Sequence, residues 1–302
     1  MQPVRRKAKG LAVTACAAMA CALAQPSGAA RILVLQSAST PRLMQTLAVL
    51  RERVGVPVDV IQLADTRDEP LERAIASGAG DTVIVTLGPH ASDYVFNLKT
   101  PAPVVHCLAG ADAMRAGLPS VPSDVPGDLQ ASWLRKLLPS ARSIGLLYNP
   151  VRNTRRAEAM AASLSMAGYR VMLQVVGTPA ELPAALDQVS GRIDALLALR
   201  DATVYTRETS RGILLFLFRR NIPLIGPDDA WVNSGALYAL DWDYADVGAA
   251  CAVHAVRALK SGKPALDAPP LPRTRVTVNR RSAAGFDLDW PQDVLRDADI
   301  RQ

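Results

Sequence analysis

Aromatic side chains make up 5% of this 302-residue chain, histidine occurs three times and cysteine four times. Cys16 and Cys21 fall within the first 29 residues. Cys107 follows an apolar run and Cys251 sits in an Ala-rich helical segment, so both read as buried small side chains. A bond between them is compatible with an oxidising compartment, but one pair of positions does not establish it. No Cys/His spacing fits a metal site, no phosphate-loop pattern occurs, and no nucleophile is identifiable beside a base. The reading therefore contains no catalytic residue, no metal and no cofactor. Lys and Arg never form a run interleaved with aromatics, and the Arg pairs at 155–156, 219–220 and 280–281 are dispersed, which speaks against nucleic acid. No apolar stretch attains the ~20 residues needed to span a bilayer.

What is present begins with a leader. Arg5, Arg6, Lys7 and Lys9 form a basic segment, and Gly10 to Leu23 is small, apolar and uncharged. Ala22-Leu23-Ala24 and Ser27-Gly28-Ala29 each fit a small-x-small cleavage site. Residues 1–29 are accordingly read as a signal peptide and the mature protein as periplasmic. Val13-Thr14-Ala15-Cys16 has the order of a lipoprotein box, but too few apolar residues precede Cys16, so lipid anchoring is the lesser reading. The formal net charge of +6 falls to about +2 once the four basic residues of the leader are set aside.

The rest of the chain repeats itself. Ala30–Thr40, Val56–Leu63, Asp81–Ser92 and Ala102–Gly110 carry short apolar runs that end in small, polar or Pro residues, and so do Ala141–Thr154, Tyr169–Thr178, Asp194–Thr203 and Ile222–Trp231. Helical segments fill the gaps: Pro41–Arg53, Leu71–Ser77 and Ala91–Leu98 in the first half, Thr154–Ala167, Ala180–Val189 and Thr203–Arg219 in the second. Apolar runs without alternation, separated by helices, predict parallel strands covered on both faces. The expected fold is α/β, with two doubly wound parallel-sheet lobes joined by a multi-strand hinge. The first crossing is expected near Pro139–Arg142 and the second near Leu240–Tyr244, and Asp267–Pro272 is read as a linker. This divides the chain into a first lobe of residues 30–140 plus 242–265 and a second of 141–241 plus 266–302.

Ligands of open parallel sheets sit at the carboxyl ends of the strands, and two such ends facing each other enclose a cleft for a small molecule. The loops there supply the candidate ligand-binding residues. From the first lobe these are Gln36, Ser37, Ser39, Gly88, Pro89 and His90; from the second, Tyr148, Asn149, Asn153, Asp201, Thr203, Asp228 and Trp231. Helix N-termini at these loops suit a carboxylate or phosphate. Ser39, Asn153 and Asp201 read first as helix caps, a role compatible with binding. Asp228 and Asp229 repel each other unless solvent or a cation relieves them, a role that a ligand ammonium group would fill. Trp231 is placed either to stack on a ligand or to pack at the lobe edge. His90 has no identifiable partner and reads as a surface or capping residue as readily as a ligand contact.

Several segments, in order, resemble a known family. Leu137-Leu138-Pro139 through Ser143-Ile144-Gly145-Leu146-Leu147-Tyr148-Asn149-Pro150 is similar to the LLP…IG(V/L)LYNP crossover of exported substrate-binding proteins of ABC transporters, typified by tryptophan- and related amino-acid-binding members. Ile193-Asp194-Ala195 and Asp201-Ala202-Thr203 are similar to that family's VDA strand and DNT loop. Ile222 to Asp228, Gly235-Ala236-Leu237 and Asp243-Tyr244…Gly248 are similar to its IPVFASD…GAL…DYYELG block, and Gly262-Lys263-Pro264 with Val278-Asn279…Ala283-Ala284-Gly285-Phe286 to its tail. The resemblance covers nearly the whole mature chain and implies a type I-like periplasmic binding protein. Departures fall on the pocket: DNT reads Asp201-Ala202-Thr203, Ala-Ser-Asp reads Gly226-Pro227-Asp228, and the first-lobe pocket reads Leu87-Gly88-Pro89 and Ala109-Gly110-Ala111-Asp112.

The function so implied is the periplasmic solute-binding component of an ABC-type uptake system. It takes a small polar, amino-acid-like solute in the inter-lobe cleft and delivers it to a membrane permease, acting as a monomer. The alternative is a sensory subunit with a changed pocket that docks on a membrane signalling receptor. An enzyme using one cysteine per lobe, as a racemase does, is disfavoured because Cys251 is placed inside a helix away from the cleft loops. The mature protein is expected to begin near Gln25 or Ala30 and to be soluble. Intact mass measures this, and a diacylglycerol on Cys16 or Cys21, or a retained leader in membranes, would contradict it.

Overall fold

The fold is given by a computed structural model, which describes residues 30–63, 71–72, 75, 82–98, 100–110, 116, 118, 120–263, 271–296 and 298–301. The expected signal peptide lies outside the described residues, as do most of the Leu71–Ser77 helical segment and most of the Asp267–Pro272 linker. Among the described residues, no helix is long and apolar enough to cross a membrane.

The repetition in the sequence is a repetition of topology. β1 (Arg31–Gln36), β2 (Val58–Gln62), β3 (Thr82–Leu87), β4 (Val104–Ala109) and β5 (Ser120–Pro122) form one sheet in the order β2-β1-β3-β4-β5, parallel throughout. The second sheet contains β6 (Ser143–Tyr148), β7 (Arg170–Val175), β8 (Ala195–Leu197), β9 (Leu224–Gly226) and β10 (Tyr238–Trp242), and its run β7-β6-β8-β9-β10 repeats that order. β11 (Thr274–Asn279) and β12 (Ala298–Arg301) extend it beyond β10. β11 runs antiparallel to β10, a departure from the all-parallel expectation. The chain leaves β10 for the other lobe and returns from that side, so it re-enters beside β10 in the opposite direction.

The apolar runs are strands because burial on both faces rewards an unbroken series of Val, Ile and Leu; every residue of β6 is buried. Helix ends follow local chemistry. α1 (Pro41–Val54) starts with Thr40 capping Leu43 N–H and Pro41 in the first turn, and stops at Gly55 with φ 66°. In the first lobe it is followed by α2 (Pro89–Leu98). α4 (Pro150–Met166) repeats the α1 start with Asn149 and Pro150. α5 (Leu182–Ser190) follows a short 3-10 turn. α6 (Arg207–Arg219) begins later than the expected Thr203, because Thr206 and Thr209 exchange hydrogen bonds as a capping box.

The order of the described elements takes the chain between the lobes three times. The first comes earlier than expected: the chain leaves the first sheet at Pro122, and α3 (Gly127–Leu137) packs against α4 beside the second sheet. The boundary near 140 is thus corrected to between Pro122 and Gly127. Gln130, Ala131, Leu134 and Leu137 form the buried face of α3, and Trp290 Nε1 donates to Leu137 O at 2.9 Å. The second crossing carries the chain from β10 into α8 (Tyr244–Ser261), which packs on α1 of the first lobe. Asp243 caps α8, and Gly262, at φ 63°, ends it. A Cβ on Gly248 would lie 2.6 Å from Thr46 O and 2.8 Å from Val49 Cβ, so the α1–α8 approach requires glycine there. The third crossing returns the chain to β11. α7 (Asp229–Ser234), α9 (Arg280–Gly285) and α10 (Gln292–Leu295) complete the second lobe.

Among the described residues, Cys107 and Cys251 form a disulfide. Cys107 on β4 and Cys251 on α8 are fully buried and bonded, with Cα atoms 6.1 Å apart. The bond pins the returning helix to the first sheet.

His106, next to that bond on β4, is buried, with Nδ1 3.0 Å from Ser92 Oγ and 3.3 Å from Thr86 Oγ1. Burial pushes its imidazole down to about 4. The unfolded chain, with a value near 6.5, takes up this proton first. The stabilising contribution is therefore complete above pH 6.5 and is lost as the pH falls towards 4. Over that range the wild type is expected to lose about 3 kcal/mol more than a His106→Gln variant. Urea unfolding of both proteins at pH 7 and pH 4 measures the difference; parallel losses would show that His106 carries no such penalty.

Candidate functional site

The carboxyl ends of β1, β3 and β4 form one wall, and those of β6, β8 and β9 the other. On the first wall the polar groups are largely engaged with one another. Gln36 is buried and its Nε2 donates to Ala38 O. Ser37 Oγ accepts Ala91 N–H at 2.8 Å. Gly88 has φ 102°, and a Cβ there would stand 2.6 Å from Ser37 Oγ. Ser37, Gly88 and Pro89 thus form a fixed corner that seats the start of α2. Ser39 Oγ donates to Gln62 Oε1 at 2.9 Å, and His90 is exposed.

On the second wall Asp201 is a hub. Its Oδ2 accepts Asn149 N–H and Asn153 Nδ2, both at 2.7 Å, and its Oδ1 accepts the N–H groups of Thr203 at 2.8 Å and Val204 at 3.0 Å. One buried carboxylate therefore ties the turn after β6 to the turn after β8. Asn149 caps α4 through Oδ1 and donates from Nδ2 to Val176 O and Gly177 O. Of the expected caps, none starts its helix: Thr40, not Ser39, caps α1; Asn149, not Asn153, caps α4, with Asn153 inside that helix; and Thr206, not Asp201, caps α6, so the observed role of Asn153 and Asp201 is to tie the two turns together. Tyr148 is buried at the end of β6, and Thr203 is half-buried at the turn. Trp231 is also buried, edge-on to Tyr205 with ring centres 5.7 Å apart, and packs into the second core. Asp228 caps α7, its Oδ1 accepting Trp231 N–H at 3.3 Å.

Sequence reasoning missed a charged layer. Arg200, just past β8, donates to Asp241 Oδ1 at 2.5 Å and to Tyr244 Oη at 3.3 Å, and lies 3.7 Å from Asp124. Tyr244 Oη donates to the same Asp241 oxygen at 2.6 Å. Arg156 of α4 grips Asp124 with two hydrogen bonds and donates to Arg200 O at 2.5 Å. Burial works to raise the Asp124 carboxyl, but Arg156 and Arg200 overcome it and hold the group below its ordinary value. Burial works against the Arg200 cation, yet Asp241, Tyr244 and Asp124 push its pKa above the ordinary value. Arg42, from the first lobe, reaches Asp228 and Asp241 at 3.4 and 3.6 Å. Signals for this layer existed: Arg200 adjoins the Asp201 loop, and Arg42 is a cation in a first helical turn, where the dipole disfavours it.

Known proteins share this architecture. A family model described as ABC transporter substrate binding protein matches residues 121–301. A tyrosine-binding protein of Clostridioides difficile (strain R20291) is 23% identical over 240 residues, which is 73% of this chain and 68% of that protein. An ABC domain in complex with L-Trp, from Streptococcus pneumonia, superposes with a TM-score of 0.69 at 21% identity, covering 90% of this chain and 100% of the other. The ligand-free, open structure of a substrate-binding protein with adhesive properties from Clostridium difficile gives 0.70 at 19% identity, covering 90% and 99%. The likeness to these two structures is one of fold.

The Asp201 hub generates a prediction. Asp201→Ala would leave four donors without their acceptor, so a loss of about 3–5 kcal/mol in urea unfolding is expected, with a smaller loss for Asp201→Asn. A cost under about 1 kcal/mol for Asp201→Ala would return this side chain to the pool of ligand contacts.

Proposed function

Because the chain belongs to the ABC transporter substrate-binding protein family, we propose that it takes up a small polar solute between its two sheets in the periplasm and delivers it to a membrane permease. The family is one of binding proteins rather than enzymes. The observation that carries the reading is the duplicated strand order, which turns two sets of carboxyl strand ends into the walls of one cleft, with three crossings as its hinge. The relatives named for tyrosine and solved with L-Trp support an amino-acid-like solute. The helix starts beside Ser37, Ser39 and His90 would meet its carboxylate, and Asp228 its ammonium group. The buried Cys107–Cys251 disulfide and the basic-then-apolar leader both support an oxidising compartment outside the cytoplasm.

Binding in such a cleft draws its selectivity from desolvation. A solute enclosed by both walls loses water on all sides, so each charged group it brings needs a partner on the protein. Charge-assisted hydrogen bonds contribute roughly 1.5–3 kcal/mol each.

Native mass spectrometry of protein purified from its source periplasm should show one retained solute per chain. Calorimetric titration with that solute, and with L-tyrosine and L-tryptophan as probes, then gives its affinity. Asp228→Asn is expected to weaken binding about ten- to a hundredfold. No retained solute and no heat with either probe would sink the uptake reading, and equal affinities for wild type and Asp228→Asn would sink the ammonium contact.

A further inference from the structure

The acidic wall of the cleft already holds a cation. Arg42 is the second residue of α1, in the first lobe, and its Nη1 stands 3.4 Å from Asp228 Oδ2 and 3.6 Å from Asp241 Oδ2, both on the second lobe. The side chain as a whole is 32% exposed, but Nη1 is sealed from solvent and is held by charge rather than by a directed hydrogen bond among the described residues.

The two carboxylates divide their oxygens in the same way. Asp228 uses Oδ1 to cap α7, and Asp241 uses Oδ1 for Arg200, Tyr244 Oη and its neighbour Trp242 N–H. Each thus spends one oxygen within or beside its own sheet and turns Oδ2 across the cleft to Arg42. A cation in the first turn of α1 opposes the helix dipole. The position makes sense electrostatically only with carboxylates opposite. Elsewhere, burial raises the Asp93 carboxyl of α2, and the charges of His90 and of Arg155 on α4 only partly offset it.

We propose that Arg42 is a resident cation that draws the two lobes together in the absence of solute, occupying on Asp228 the place that a solute's ammonium group would take. Solute entry is then an exchange of cations: an amine-bearing solute reaches Asp228 by displacing Arg42, and the ion pair re-forms when the solute leaves.

The test uses small-angle X-ray scattering of the solute-free mature protein, so it stands apart from the uptake reading: either can fail without the other. Arg42→Met keeps the apolar stem and removes the charge; Asp228→Asn removes one of the two partners. At ~0.05 M salt the wild type is expected to scatter as the closed form, Arg42→Met to shift to a larger radius of gyration, and Asp228→Asn to fall between. Raising salt to ~1 M, where screening acts within about 3 Å, should expand the wild type towards Arg42→Met and leave that variant unchanged. Circular dichroism checks that both variants are folded, and the salt series on the wild type needs no variant at all. Superimposable curves for wild type and Arg42→Met at low salt, or a wild type that does not respond to salt, would overturn the proposal.

Discussion

Parallel strands end together, so whatever their last residues carry is crowded into one layer. Here that layer contains Arg200, Asp201, Asp228 and Asp241, joined by Asp124 from the first crossing and by Arg42 and Arg156 from helices. Charges this poorly solvated must neutralise one another, and they do so pair by pair. Asp124 is shared by Arg156 and Arg200, Asp241 by Arg200 and Arg42, while Asp201 is satisfied by four donors. Networks of this kind contribute little net stability, since desolvation offsets much of the attraction, but they tolerate few alternative arrangements. The turns after β6, β8 and β10 therefore have defined positions relative to one another, and the cleft inherits its shape from them.

The fold was largely legible because its signals are local. Unbroken apolar runs mark β1, β3, β4 and β6, and the Thr40-Pro41 step marks the start of α1, whereas α4 starts at Pro150, ahead of the expected Thr154. The lobe that receives α3 was not legible: an amphipathic helix declares its apolar face but not the core it will meet. The same limit governed the site. Asn153 and Asp201 were read as polar groups before helices and Asn149 as a cleft-loop candidate, yet their mutual hydrogen bonds depend on β6 and β8 lying side by side, which no local pattern encodes. Trp231 was open between stacking and packing, and its partner Tyr205 lies on another turn. Arg42, Arg200 and Asp241 were missed because each finds its partners only once distant strands have assembled.

The cysteines illustrate the limit from the other side. Read singly, Cys107 and Cys251 are two small buried side chains; together they bond strand β4 to the last long helix. The bond also disposes of the enzymatic alternative on a positive observation, since both thiols belong to the first lobe and are consumed by each other rather than facing a substrate from opposite walls.

The first lobe is built from two pieces of chain separated by nearly all of the second. Its sheet is complete at Pro122, but the helix that covers α1 and β4 starts only at Tyr244. During synthesis the apolar side chains of α1 that await this helix, and the thiol of Cys107, stay uncovered while more than 120 further residues emerge, and the bonded cysteines are 144 positions apart. The second lobe, from α3 to β10, has its five-strand run in continuous sequence and can condense meanwhile. The domain that comes first in the chain is thus the one finished last, and any premature stop between residues 122 and 244 leaves an open, aggregation-prone half with no route to closure.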